Sequence, residues 1–136
     1  MRTLAMDIGG NREFTQDFLQ YDKIITDRGS VYSVTIGRVT NSKEIRSFLK
    51  RIKSNSDYAS ASHNSYAVRI EHNGALYETH ADDGETGAGK ILLRELQKHS
   101  VKNVCVCVTR WFGGEKLMSD RFKHIQDAAR YALKNS

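Results

Sequence analysis

Asn64-Ser65-Tyr66-Ala67-Val68-Arg69-Ile70-Glu71-His72-Asn73-Gly74-Ala75-Leu76-Tyr77-Glu78-Thr79-His80 is the stretch that decides the fold. Tyr66, Val68 and Ile70 alternate with other residues, the period of a strand with one face on a core. A two-residue loop between paired strands matches their twist when both central residues take positive φ, and Asn73-Gly74 accepts it. The stretch predicts a β-hairpin.

Downstream, Asp82-Asp83-Gly84-Glu85-Thr86-Gly87-Ala88-Gly89 is a polar, glycine-rich loop opening a helix with Ile91, Leu92, Glu95, Leu96 and Lys98. Val104, Val106 and Val108 alternate with Cys105, Cys107 and Thr109, an almost wholly apolar strand buried on both faces. Trp111-Phe112-Gly113-Gly114 forms a second glycine loop. Ser119 or Asp120 then starts a last helix, whose apolar stripe is Phe122, Ile125, Ala128, Ala129, Ala132 and Leu133. Upstream, Val31 to Val39 is β-branched and alternating. Asn41 or Ser42 caps a helix in which Ile45, Phe48, Leu49 and Ile52 recur at helical spacing. Residues 1–29 read as an extension docked on the domain, with Phe14, Phe18 and Leu19 at helical spacing. The expectation is an α+β, two-layer sandwich with a four-stranded mixed sheet and helices on one face. Residues 1–23 are assigned to an N-terminal extension and 24–136 to one domain.

Composition bounds the function. The chain has 136 residues with 21 Lys and Arg against 16 Asp and Glu, a formal charge of +5, and no proline. It therefore lacks Pro-rich recognition tracts. No run reaches the roughly 18–20 apolar residues that cross a bilayer, and the start is not a secretory signal. Cys105-x-Cys107 is not a disulfide framework, and the two read as reduced core thiols, which suits a cytosolic or nuclear setting; a cytoplasmic location is expected. From Arg110 to Ser136 there are six basic residues against three acids, a mild excess that permits nucleic-acid binding.

Gly84-Glu85-Thr86-Gly87-Ala88-Gly89-Lys90 meets seven positions of a phosphate loop but has Ile91 where a hydroxyl must reach magnesium. The segment before it is not an apolar strand, so no nucleoside triphosphatase is expected. The helix start after this loop either takes an anion or is satisfied by Asp82, Asp83 and Glu85 themselves. The histidines lack zinc spacing and the serines sit in no nucleophile setting, so no catalytic residue, metal or cofactor is assigned. In Thr109-Arg110-Trp111-Phe112-Gly113-Gly114 a strand end delivers a cation and two aromatics beside a Gly-Gly bend. Trp111 and Phe112 can stack on bases or anchor a protein, with Arg110 on phosphate or carboxylate. Alternatively the rings cap the core edge and Arg110 pairs with Asp82, Asp83 or Glu85.

The order His63-Asn64, Asp82 to Gly89, Asn103 to Gly114 and Asp120-Arg121-Phe122-Lys123-His124-Ile125, entered through Thr26-Asp27-Arg28-Gly29-Ser30, resembles the IMPACT family, also called the YigZ family. The resemblance covers about residues 24–134. It implies a fold like the second domain of ribosomal protein S-five. Thr86 stands where prokaryotic-type members usually carry proline, and Asp120 to His124 replace their glycine-rich helix start. Both features resemble the eukaryotic branch. Full-length members of that branch restrain the amino-acid-starvation kinase by competing for its ribosome-associated activator, mainly through a separate RWD domain. Residues 1–29 are too short to be one.

The leading expectation is thus a non-enzymatic binding module of translational control. Its surface would comprise His63, Asn64, Asp82, Asp83, Gly84, Glu85, Thr86, Gly87, Gly89, Arg110, Trp111, Gly113, Gly114, Arg121 and Lys123. The partner would be a protein of the translation-control machinery or the ribosome, with no membrane involved. The alternatives are RNA binding through Arg110, Lys116, Arg121, Lys123 and Lys134, or a small hydrolase using the acidic loop.

Overall fold

The computed structural model describes residues 2–6 and 9–136. Its elements run β1 (Arg2–Met6), β2 (Arg12–Glu13), β3 (Leu19–Asp27), β4 (Ser30–Arg38), α1 (Ser42–Lys53), α2 (Ser56–Ala59), β5 (His63–His72), β6 (Ala75–Ala81), α3 (Ala88–Lys98), β7 (Val101–Lys102), β8 (Val104–Trp111) and α4 (Asp120–Lys134). The hairpin is β5–β6: His72 faces Ala75 in register, and Asn73 (φ 50°) with Gly74 (φ 78°) makes the two-residue turn.

The α+β class holds, with more strands than the sequence suggests. Six strands lie in the order β1-β6-β5-β8-β4-β3, each antiparallel to its neighbours, and β2 with β7 forms a separate parallel pair. The four expected strands are β4, β5, β6 and β8. Their sheet is antiparallel rather than mixed because β8 inserts between β4 and β5 and runs against both.

Helices cover both faces, not one. Val104, Val106 and Val108 join Tyr32, Val34, Ile36 and Ala67 under α3 and α4. Cys105 and Cys107 join Val68 and Ile70 under α1 and Tyr58 of α2. The cause is β8, apolar on both sides and therefore in need of cover on both. Its two thiols are free and buried, and burial pushes that of Cys107 up to about 12.

The segment before β4 is extended, not helical. Phe14 is buried in the first core, Phe18 packs on Phe48 in the second, and Leu19 opens β3. The boundary drawn at 23/24 falls inside that strand. A bulge between Tyr21 and Ile25, with Lys23 at φ 51°, breaks the alternation that would have marked it. Asn41 does cap α1, accepting from the Glu44 N–H at 2.9 Å, while Glu44 accepts from the Thr40 N–H at 2.7 Å. Among the described residues no helix is long and apolar enough to cross a membrane.

Candidate functional site

The acidic loop lies between β6 and α3, and most of its groups are occupied in building that junction. Asp82 accepts from the N–H groups of Gly87 (3.1 Å) and Gly89 (2.8 Å), so the start of α3 is satisfied from within the chain. Gly89 is required there: a Cβ would sit 2.7 Å from His80 Nδ1 and 2.9 Å from Asp82 Oδ1. Asp83 accepts from the Asn64 N–H at 2.7 Å, and its carbonyl lies 2.9 Å from His63 Nδ1. Asn64 is itself buried, accepting from the Thr109 hydroxyl at 2.6 Å and donating to the Tyr58 carbonyl at 3.1 Å. These three polar residues tie the loop to β5 and β8.

Glu85 does something different. It turns inward to 3% exposure, and Arg110 at 5% exposure donates to both its oxygens at 2.8 and 3.1 Å. The Arg121 guanidinium and His63 Nε2 each lie 3.5 Å from Glu85 Oε2. Arg110 also donates to Ser30 Oγ at 3.2 Å, which in turn accepts from the Gly113 N–H at 3.2 Å. A Cβ on Gly113 would meet the Gly29 carbonyl carbon at 2.0 Å, so the second glycine loop is packed backbone against backbone. The Arg110 guanidinium sits 5.5 Å from the Tyr32 ring and 5.6 Å from that of Phe112. Tyr32 OH and Arg110 Nε are buried with no hydrogen-bond partner, and burial pushes the Tyr32 hydroxyl up to about 12.

Above this pair is a groove of about 560 Å³, lined by His63, Glu85, Arg110, Phe112, Lys116, Leu117, Met118, Ser119, Arg121 and Phe122. Three cations face one carboxylate here, and Phe112 and Met118 are among the exposed large apolar side chains. The arrangement can hold an anionic group beside an apolar one.

The two glycine loops thus meet as expected, through a subset of the expected residues. His63, Glu85, Arg110 and Arg121 come together; Arg110 takes Glu85 among the three acids considered. Asp82, Asp83 and Asn64 scaffold the loop. Gly84 (φ 83°) and Gly87 (φ 91°) shape it beside His63 and Phe122, and Thr86 is exposed on it. Gly113 and Gly114 form the second bend, while Lys123 is exposed on α4 and does not line the groove. Trp111 is not in the groove either. Successive strand residues point to opposite faces, so Trp111 packs edge-on against Tyr58 and donates to the Asp57 carbonyl at 3.0 Å. The sequence did not mark Leu117, Met118, Ser119 and Phe122 as groove residues. Phe122 belongs to a helical apolar stripe that looks like core alone, and Met118 takes its place through a left-handed backbone (φ 54°).

Comparison with known proteins gives the family and the fold. The profile of the Impact N-terminal domain matches residues 28–133. Protein IMPACT-B of Xenopus tropicalis is 44% identical over 118 residues, 85% of this chain and 37% of the relative. Protein IMPACT homolog of Schizosaccharomyces pombe is 42% identical over 110 residues, 80% of this chain and 39% of the relative. The chain therefore spans well under half the length of these curated relatives. A solved structure described as the two-domain translational regulator Yih1 superposes with a TM-score of 0.60 at 37% identity, covering 95% of this chain and 50% of that one. A hypothetical protein of known crystal structure matches at a TM-score of 0.71 and 18% identity, covering 98% of this chain and 60% of that one, a likeness of fold. With the profile over most of the chain and relatives above 40% identity, the chain belongs to the IMPACT family.

Proposed function

We propose that the chain is a non-enzymatic binding module of translational control, and that the groove over Glu85 and Arg110 receives an acidic, apolar-tipped segment of a protein partner in the ribosome-associated machinery of the amino-acid-starvation kinase pathway. One observation carries the reading: a buried ion pair, held rigid by Ser30 and flanked by Arg121, lies beneath the exposed Phe112 and Met118. A preformed charge set beside an exposed aromatic is the anatomy of an interface anchor. The name of the neighbour as a translational regulator supports the setting, and with it a cytoplasmic location.

Retention of the kinase's activator by the immobilised chain, after nuclease treatment, tests it. Phe112→Ala with Arg121→Glu is expected to weaken retention at least about tenfold, the order of one lost aromatic anchor plus a reversed charge. Equal retention by the variant, or none by the natural chain at physiological salt, overturns the proposal.

A further inference from the structure

A second charged feature lies across the sheet from the groove. Helix α1 buries Ile45, Phe48 and Ile52. Lys43, Arg46, Lys50 and Lys53 are all exposed and follow one another at spacings of three, four and three residues. At 3.6 residues per turn they fall within about 80° of arc, opposite the buried stripe, in a row about 15 Å long.

These four charges are uncompensated. Among the described residues none of the four forms an ion pair. The fifth cation of the helix, Arg51, is tied to Asp17 at 2.8 Å and lies 4.0 Å from the Phe18 ring. Its one carboxylate, Glu44, accepts from Thr40 at the helix start. Several arginines elsewhere are paired: Arg38 with Glu13, Arg69 with Glu78, and on α4 Arg121 with Glu85 and Arg130 with Glu95. Of the cations of α4, the helix of the RNA alternative, Arg121 and Arg130 are thus paired, whereas among the described residues Arg51 is the one paired cation of α1.

The chemistry of the row selects its occupant. Among the described residues the exposed large apolar side chains are Phe112, Met118 and Tyr131, none of them on α1. The face therefore offers no ring for unpaired bases to stack on and no apolar wedge for a lipid surface. Three of its four cations are lysines, which protein interfaces avoid, and it has no aromatic anchor. A line of strongly hydrated point charges without anchors suits a backbone of evenly spaced phosphates. We infer that the outward face of α1 docks on the phosphate backbone of duplex RNA without reading its sequence. The choice of RNA rests on the translational reading above, whereas the phosphate chemistry rests on the helix alone.

Fluorescence anisotropy with labelled duplexes tests it. Four phosphate contacts predict a slope of log K against log salt of about −3.6, so affinity for a mixed-sequence RNA duplex falls about 150-fold between 50 and 200 mM salt. Lys43→Gln, Arg46→Gln, Lys50→Gln and Lys53→Gln together should remove most of that slope while leaving the far-ultraviolet circular dichroism unchanged. Phe112→Ala with Arg121→Glu should leave the slope as it is, so failure of the groove reading and failure of this one are separable. Several results would overturn the inference: no binding at 50 mM salt, or an unchanged slope in the α1 variant. So would tighter binding of single-stranded RNA, a DNA duplex, poly-glutamate or phosphatidylserine vesicles than of duplex RNA.

Discussion

Glu85 and Arg110 are both nearly removed from water, so each charge offsets the cost of burying the other. The surroundings are asymmetric. Glu85 is approached by Arg110, Arg121 and His63, whereas Arg110 has Glu85 as its carboxylate partner. Neutralising Glu85 strands a buried guanidinium and leaves Arg121 facing it. Glu85→Gln, which keeps the shape, should therefore lower unfolding free energy by about 3–5 kcal/mol. Arg121→Gln removes a partly exposed contact at 3.5 Å and should cost under about 1 kcal/mol. Urea denaturation of the two variants checks the ranking, and equal losses would contradict it. Which acid of the loop turns inward was not legible in the sequence. Asp82, Asp83 and Glu85 differ little as residue types, and the turn geometry that separates them depends on β5 standing beside the loop.

Among the elements, α3 shows how the loop substitutes for a local cap. Its start is Gly87 in a left-handed conformation, with no side chain to satisfy the first N–H groups. Asp82, several residues upstream, accepts from Gly87 and Gly89 instead. Asp82→Ala should cost about 0.5–2 kcal/mol, as loss of a helix cap does, and Asp82→Asn, which keeps an acceptor, about half or less. Hydrogen exchange at Gly89 checks it, since protection there should drop first. The elements most readable in sequence were those with local chemistry: the Asn73-Gly74 hairpin, the Asn41 cap and the two-sided β8. Strand β3 was hidden by its bulge, and β1 by its dependence on β6, a partner far along the chain. Trp111 was misplaced for a simpler reason. Its neighbour Arg110 marks the groove, and the alternation of a strand sends the indole to the opposite face.

At the scale of the whole molecule, one strand serves two cores. Val104, Val106 and Val108 of β8 lie under α3 and α4, while Cys105 and Cys107 lie under α1 and Tyr58. The chain cannot lose cover on one face of β8 without freeing the strand for both, so the two cores should unfold as one unit. Trp111, against Tyr58, reports the α1 side by fluorescence. Leu96 of α3, fully buried, belongs to the other side. Leu96→Ala should lower stability by about 2–5 kcal/mol and move the Trp111 fluorescence midpoint as far as the circular-dichroism midpoint. Ile52→Ala, 1% exposed in the α1 core, should do the same from the other side. Independent cores would instead leave the Trp111 midpoint in place when Leu96 is truncated. Cooperativity of this kind bears on function, because the groove opens on the α4 side and the basic row on the α1 side. A shared strand holds the two surfaces in fixed relation, so the proposed groove partner and the proposed duplex on α1 would be engaged by one rigid body.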